Sequence, residues 1–138
     1  MVMILALSLT LFPLTKALAA STSEGNTHGI EPESFQYLAC GISTLDFSGN
    51  TALCYGRTEA QQVVDYIAVT VTLQRWNGSS WVNVASYPFS KSNTSVVEGY
   101  KGVTVTRGYQ YRVKSFHKVT HDRVTEITYS YSQSKYLS

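Results

Sequence analysis

The sequence predicts an all-β protein whose main body is a single antiparallel β-sandwich of about seven strands. Three observations carry this expectation. From Phe35 onward apolar and polar residues alternate with period two, turn residues interrupt the alternation about every eight to twelve positions, and no stretch shows the 3.6-residue period of an amphipathic helix. Composition agrees: only 14% of residues are charged, and ten tyrosines with many Thr, Ser and Val supply β-favouring side chains. A chain of 138 residues has room for one hydrophobic core and hardly for two.

The first element is not part of the sandwich. Val2 to Leu14 is almost wholly apolar, and Ala17-Leu18-Ala19 supplies small residues at the spacing signal peptidase requires, so residues 1–19 read as a signal peptide cut after Ala19. The apolar run of about thirteen residues falls short of the roughly twenty that span a bilayer as a helix. A secreted, extracellular product with no membrane attachment after cleavage is therefore expected. Cleavage removes Lys16 and no acid, leaving a net charge of +1, which gives nucleic acid no electrostatic reason to bind. Residues 20–34 are polar, with glycines, a proline and glutamates, and read as a flexible leader ahead of a domain at 35–138.

The strands expected in that domain are Gln36–Phe47, Thr51–Ala60, Tyr66–Trp76, Trp81–Phe89, Val96–Thr106, Tyr109–Val119 and Val124–Ser132. The strongest local signal is Asn77-Gly78 between two alternating runs, since this dipeptide is strong turn chemistry and NGSS then joins the two as a hairpin. With Trp76 opposite Trp81, Ile67, Val69, Val71 and Leu73 share an inner face with Val82 and Val84. Gln74, Trp76, Trp81, Tyr87 and Phe89 then lie outside. Downstream, Tyr109, Tyr111, Val113, Ser115 and His117 are expected inside, with Arg112, Lys114 and Phe116 outside. On the last strand Thr125, Ile127, Tyr129 and Tyr131 form one face, read as inner, and Glu126, Thr128 and Ser130 the other.

The Gly-x-x-Tyr-x-Val step at Gly108, Tyr111 and Val113 resembles the entry to the sixth strand of immunoglobulin-like and fibronectin type III sandwiches. There a tyrosine hydroxyl braces the preceding corner. A nearer likeness runs from Tyr37 to about Tyr131. Tyr37-Leu38, Val71-Thr72-Leu73-Gln74-Arg75-Trp76 followed by NGSSW, and Tyr111-Arg112-Val113-Lys114 with His117 resemble an uncharacterised family of small secreted proteins of Gram-positive bacteria. That resemblance implies secretion, an all-β domain and a bacterial source, and brings no activity with it.

The residues give no catalytic constellation. There is no G-x-S-x-G elbow, no C-x-x-C, no phosphate-cradling glycine loop and no carboxylate pair set apart as acid and base. We therefore expect no enzyme and no cofactor. His117, His121 and Asp122 have types that suit zinc, but the alternation sends His117 to the core and the other two to a turn, so no metal is expected. Cys40 and Cys54 form a candidate disulfide of an exported chain. A turn at Ser48-Gly49-Asn50 offsets them by several residues, whereas direct pairing needs a turn centred on Phe47.

One feature goes beyond packing. Trp76, Trp81 and Tyr87 on an outer face beside Gln74, with Arg112 and Lys114 as a basic flank if the two strands are neighbours, would make a platform for an envelope glycan or a protein partner. A cross-strand Trp pair also clasps a hairpin without binding anything. The expected function is a secreted, non-catalytic binding module. The alternatives are a structural component of an extracellular matrix or coat, joined through strand edges, and a secreted inhibitor or toxin-like protein.

Overall fold

The protein's structure is a computed structural model that describes residues 29–30 and 35–138. The expected signal peptide and most of the expected leader lie outside the described residues. Within the leader, Gly29–Ile30 forms a short strand, β1, paired with Gly41 and Ile42.

The described residues form one antiparallel sheet without a helix. Its further strands are β2 (Leu38–Ser48), β3 (Thr51–Trp76), β4 (Trp81–Thr104), β5 (Tyr109–His121), β6 (Val124–Tyr131) and β7 (Lys135–Leu137). Two pairs of expected strands turn out to be continuous. Gln61 to Asp65 and Ser90 to Ser95, expected as connections, are stretches of β3 and β4 that bend together, with a register irregularity between Glu59 and Val64. A bulge bends a strand without ending it. β3 consequently pairs with β2 through its first half, with β5 through its second half, and with β4 along both.

That bend curls the sheet into a half-barrel and lays β2 across β5 and β6, where Ser43 Oγ donates to Ser115 Oγ (2.6 Å). The concave side holds the core: Leu45, Ala52 and Cys54 from the first half meet Ile67, Val69, Val71, Leu73, Tyr111, Val113 and Val119 from the second. Each large aliphatic chain so buried contributes about 1.5–3 kcal/mol. At the Gly-x-x-Tyr-x-Val step the Tyr111 hydroxyl donates to the Thr106 carbonyl (2.6 Å) and braces the corner before β5.

The core is not wholly apolar. His117 is fully buried, with Thr58 Oγ1 2.7 Å from its Nδ1 and Ser130 Oγ 2.7 Å from its Nε2; Ser43 Oγ joins Ser130 Oγ at 2.7 Å. Thr58 donates its single hydroxyl hydrogen to the Ala68 carbonyl (2.9 Å), which leaves its oxygen to accept from Nδ1–H and makes Nε2 the acceptor for Ser130. Burial pushes the imidazole from 6.5 down to about 4, so it is neutral at neutral pH. Gly41 passes directly over this ring, where a Cβ would come within 2.5 Å of it.

Two parity expectations are corrected. On β6 the inward residues are Glu126, Thr128 and Ser130, followed by buried Ser132 just past its end, while Ile127 and Tyr129 are exposed. The cause is the two-residue turn Asp122-Arg123, both at positive φ, which pairs His121 with Val124 and inward-facing His117 with Thr128. Glu126 is put to use inside: its carboxylate accepts from the backbone N–H groups of Gln36 (2.7 Å), Tyr37 (2.9 Å) and Leu38 (2.7 Å), tying down the start of β2. The second correction, on β4, concerns the site and follows.

Candidate functional site

The hairpin at Asn77-Gly78 forms as the dipeptide predicts. Asn77 Oδ1 accepts from the N–H groups of Ser79 (2.9 Å) and Ser80 (2.8 Å), Gly78 takes φ 99°, and Trp76 pairs with Trp81. Their rings lie 5.5 Å apart at 58° on the convex side of the sheet, half-buried. Beyond this pair the register slips. Gln74 pairs with Asn83 and Leu73 with Ala85, so Val84 is an extra residue, exposed on a bulge.

One extra residue reverses the side to which every later side chain points. Tyr87 therefore pairs with inward Val71, and Phe89 with inward Val69. Phe89 packs against the core and fills the space above Gly99, where a Cβ would come within 2.0 Å of its ring. Tyr87 is accordingly not part of the Trp76–Trp81 surface, and Val84 is not part of the core. Lys101, 5.3 Å from the Tyr87 ring, accompanies Tyr87 on the opposite side.

The remaining predicted residues are brought together. β5 lies beside the second half of β3 with Gln74 opposite Arg112 and Thr72 opposite Lys114. Gln74 is buried: its amide nitrogen donates to Asn83 Oδ1 (3.0 Å) and its carbonyl oxygen accepts from Arg112 Nε (2.8 Å). The Arg112 guanidinium is held between two rings, 4.4 Å from the centre of Trp81 and 4.6 Å from that of Tyr131. Burial lowers its pKa from the free value, an effect that the nearby Tyr131 opposes.

Sequence reasoning missed the β6 half of this surface. Tyr131 pairs with Lys114, Tyr129 with Phe116 and Ile127 with Lys118. Lys114 Nζ is 4.7 Å from the Tyr129 ring, Phe116 and Tyr129 rings are 5.3 Å apart, and Lys118 Nζ is 5.8 Å from Tyr66. The signal that could have found them was the Asp122-Arg123 turn, whose register carries the outward parity of β5 onto β6. Along the outward positions of the second half of β3, of β5 and of β6 there is no carboxylate, and among the described residues Arg112, Lys114 and Lys118 make no salt bridge. The three cations rest on rings instead.

The other predicted chemistry separates. With Ser48 paired to Thr51, Cys54 lies opposite Leu45 and Cys40 opposite Glu59. Five positions of an antiparallel strand span about 17 Å, so the candidate Cys40–Cys54 disulfide does not form. Burial raises the Cys54 thiol to about 11, which keeps it a thiol at neutral pH. His117 is remote from the group His121, Asp65 and Asp122. In that group Asp65 Oδ2 lies 3.4 Å from His121 Nδ1 and Asp122 Oδ2 lies 3.6 Å from Nε2. Each of these three side chains offers one possible ligand atom within 4.8 Å of the others, a grouping that takes Asp65 from β3 and leaves out His117.

Two shallow clefts lie elsewhere, one between Thr44, Asp46, Ser132 and Lys135 and one between Arg57, Lys91 and Glu98; neither includes a residue of the aromatic-basic surface. No family model matches the chain, and neither a curated protein nor a solved structure is similar to it.

Proposed function

We propose that this is a secreted, non-catalytic binding module that recognises an envelope glycan or an extracellular protein through the convex surface formed by Trp76, Trp81, Arg112, Lys114, Tyr129 and Tyr131. One observation carries the reading. The cations of this surface are seated on aromatic rings, with no carboxylate opposite them, so their charge is retained and their side chains are held in place. Charge that serves only folding is usually neutralised by a neighbouring acid; charge kept open and pre-positioned is what a ligand can use. Export follows from the apolar run before Ala17-Leu18-Ala19. The resemblance to small secreted proteins of Gram-positive bacteria belongs to the same reading, as does kinship with immunoglobulin-like sandwiches, which the Tyr111 corner supports and the continuous β3 and β4 set apart.

The runner-up, a matrix or coat component joined through strand edges, finds less support. Among the described residues no strand pairs with the outer edge of β4, yet that edge carries Pro88, the Val84 bulge and Lys91, three features that oppose strand addition. The deciding experiment is retention of the purified protein on insoluble cell wall. Wild type and Tyr87→Ala, altered on the opposite side, should be retained, and the folded Trp76→Ala/Trp81→Ala double variant at least tenfold less. Equal retention of all three removes the reading.

A further inference from the structure

Resting on that reading, we propose that Arg112 is a carboxylate-binding fork and that the ligand of the convex surface is an acidic glycan bearing uronate groups. The argument concerns which donors of Arg112 remain. The guanidinium carbon lies over the Trp81 ring at 4.4 Å and over the Tyr131 ring at 4.6 Å, and Nε is occupied by the buried Gln74, itself oriented by Asn83. Among the described residues no hydrogen bond engages the terminal edge, Nη1 with Nη2. Two parallel N–H groups in one plane match the two oxygens of a carboxylate, and here the plane is fixed before any ligand arrives. A guanidinium free to rotate would lose that freedom on binding; this one has already lost it on folding.

The neighbourhood selects among anions. Lys114 lies two residues along β5, about 7 Å away, and provides a second positive point without a fork. The half-buried Trp76 beside Trp81 offers apolar area against which a sugar ring can lie. A chain that carries carboxylates on sugar rings uses all three features. A phosphodiester polymer would use the charges and leave the planar fork without its geometric match.

The test, read by isothermal calorimetry because Trp76→Ala/Trp81→Ala retains no tryptophan, titrates the full-length chain with three polymers. They are polygalacturonate, the same polymer fully methyl-esterified, and single-stranded DNA as an anion without uronate. Polygalacturonate should bind, with affinity falling as salt rises, and at least tenfold more tightly than either of the other two. Arg112→Lys keeps the charge and removes the fork, and should lose at least tenfold in polygalacturonate affinity. Gln74→Ala, which releases Nε and the orientation of the ring plane, should lose severalfold. Unchanged affinity in Arg112→Lys, or equal binding of the DNA, would reduce the surface to a simple cationic patch and overturn the inference. Equal binding of the esterified polymer, abolished by Trp76→Ala/Trp81→Ala, would overturn it as well while leaving the broader glycan-binding reading intact. Absence of binding to all three, joined with no retention on cell wall, would end both.

Discussion

The two faces of β5 handle polar groups in opposite ways. Inward, His117 and Ser115 are sealed among Thr58, Ser43 and Ser130, and the imidazole is stripped of charge and saturated with hydroxyl partners. Outward, Arg112, Lys114 and Lys118 keep their charge and rest on rings that give them no formal counter-ion. The contrast shows what burial decides. Inside, an ionisable group either gives up its charge, as His117 does, or keeps it under several hydrogen bonds, as Glu126 does; at the half-wet surface a cation can be held in place by a quadrupole and still act at a distance. Alternation along one strand is enough to put both solutions within one residue of each other.

The largest test of this contrast is to cut neighbouring residues. His117→Ala should destabilise the protein by about 3–5 kcal/mol, since it leaves a cavity and strands the Thr58 and Ser130 hydroxyls. Phe116→Ala, one residue away on the other face, should lose about 1 kcal/mol. Similar losses in urea melts would erase the distinction.

Acid should act on the inner face first. The folded-state value of His117 is depressed to about 4 while an unfolded histidine titrates near 6.5, so its contribution is fully present above about 6.5 and is lost as pH falls toward 4. The loss should be on the order of 3 kcal/mol across that window, and His117→Gln should flatten it. Melting temperature against pH for the two proteins reads this directly. Below that window Glu126 contributes in the same direction. Burial works to raise its carboxyl, but the N–H groups of Leu38, Tyr37 and Gln36 outweigh it and hold the group below the usual range. Glu126→Gln should therefore cost about 2 kcal/mol at neutral pH and remove the steepest part of the acid limb in the same melts.

The outer face should respond least in stability and most in binding. Trp76→Ala should cost about 0.5–1 kcal/mol and Trp81→Ala about 1–2, the difference being the cover Trp81 gives Arg112. A loss of 3 kcal/mol or more at either would mean that the rings belong to the core. Ile127→Ala, at an exposed position once expected inside, should stay within about 0.5 kcal/mol by chemical denaturation.

How far these faces were legible depended on where turns announce themselves. Asn77-Gly78 announces a turn in its residues, and the Trp76–Trp81 pairing and the inner face of β3 follow from it, while period-two alternation along β5 sends Arg112 and Lys114 outward. Asp122-Arg123 makes a tighter turn, two residues long with both at positive φ, a conformation that Arg rarely adopts, so the register of β6 has only a weak local signature and alternation by itself does not say which face of β6 is inner. The bulge at Val84 is equally silent, because an alternating run looks the same whether or not one residue is skipped, and unbroken alternation puts Tyr87 with the tryptophans. The bends in β3 and β4 look like strand ends in the sequence because Gln61, Gln62 and Asp65 are as polar as a loop. At each of these positions three-dimensional pairing, not local preference, decided the outcome.

The shared bend of β3 and β4 has a consequence for how the molecule assembles. The two strands are one hairpin that begins with the near neighbours Trp76 and Trp81 and runs through the bend to Thr51 and Thr104. Pairing can therefore propagate from the Asn77-Gly78 turn one residue pair at a time, each step closing only a little more chain than the last, before β2, β5 and β6 must find their places along it. The entropy of bringing distant segments together is met in small increments, and the finished ribbon becomes the spine on which the later strands dock. Since that spine passes through both halves of the curled sheet, neither half can come apart while the other stays whole, and unfolding is expected as a single cooperative event.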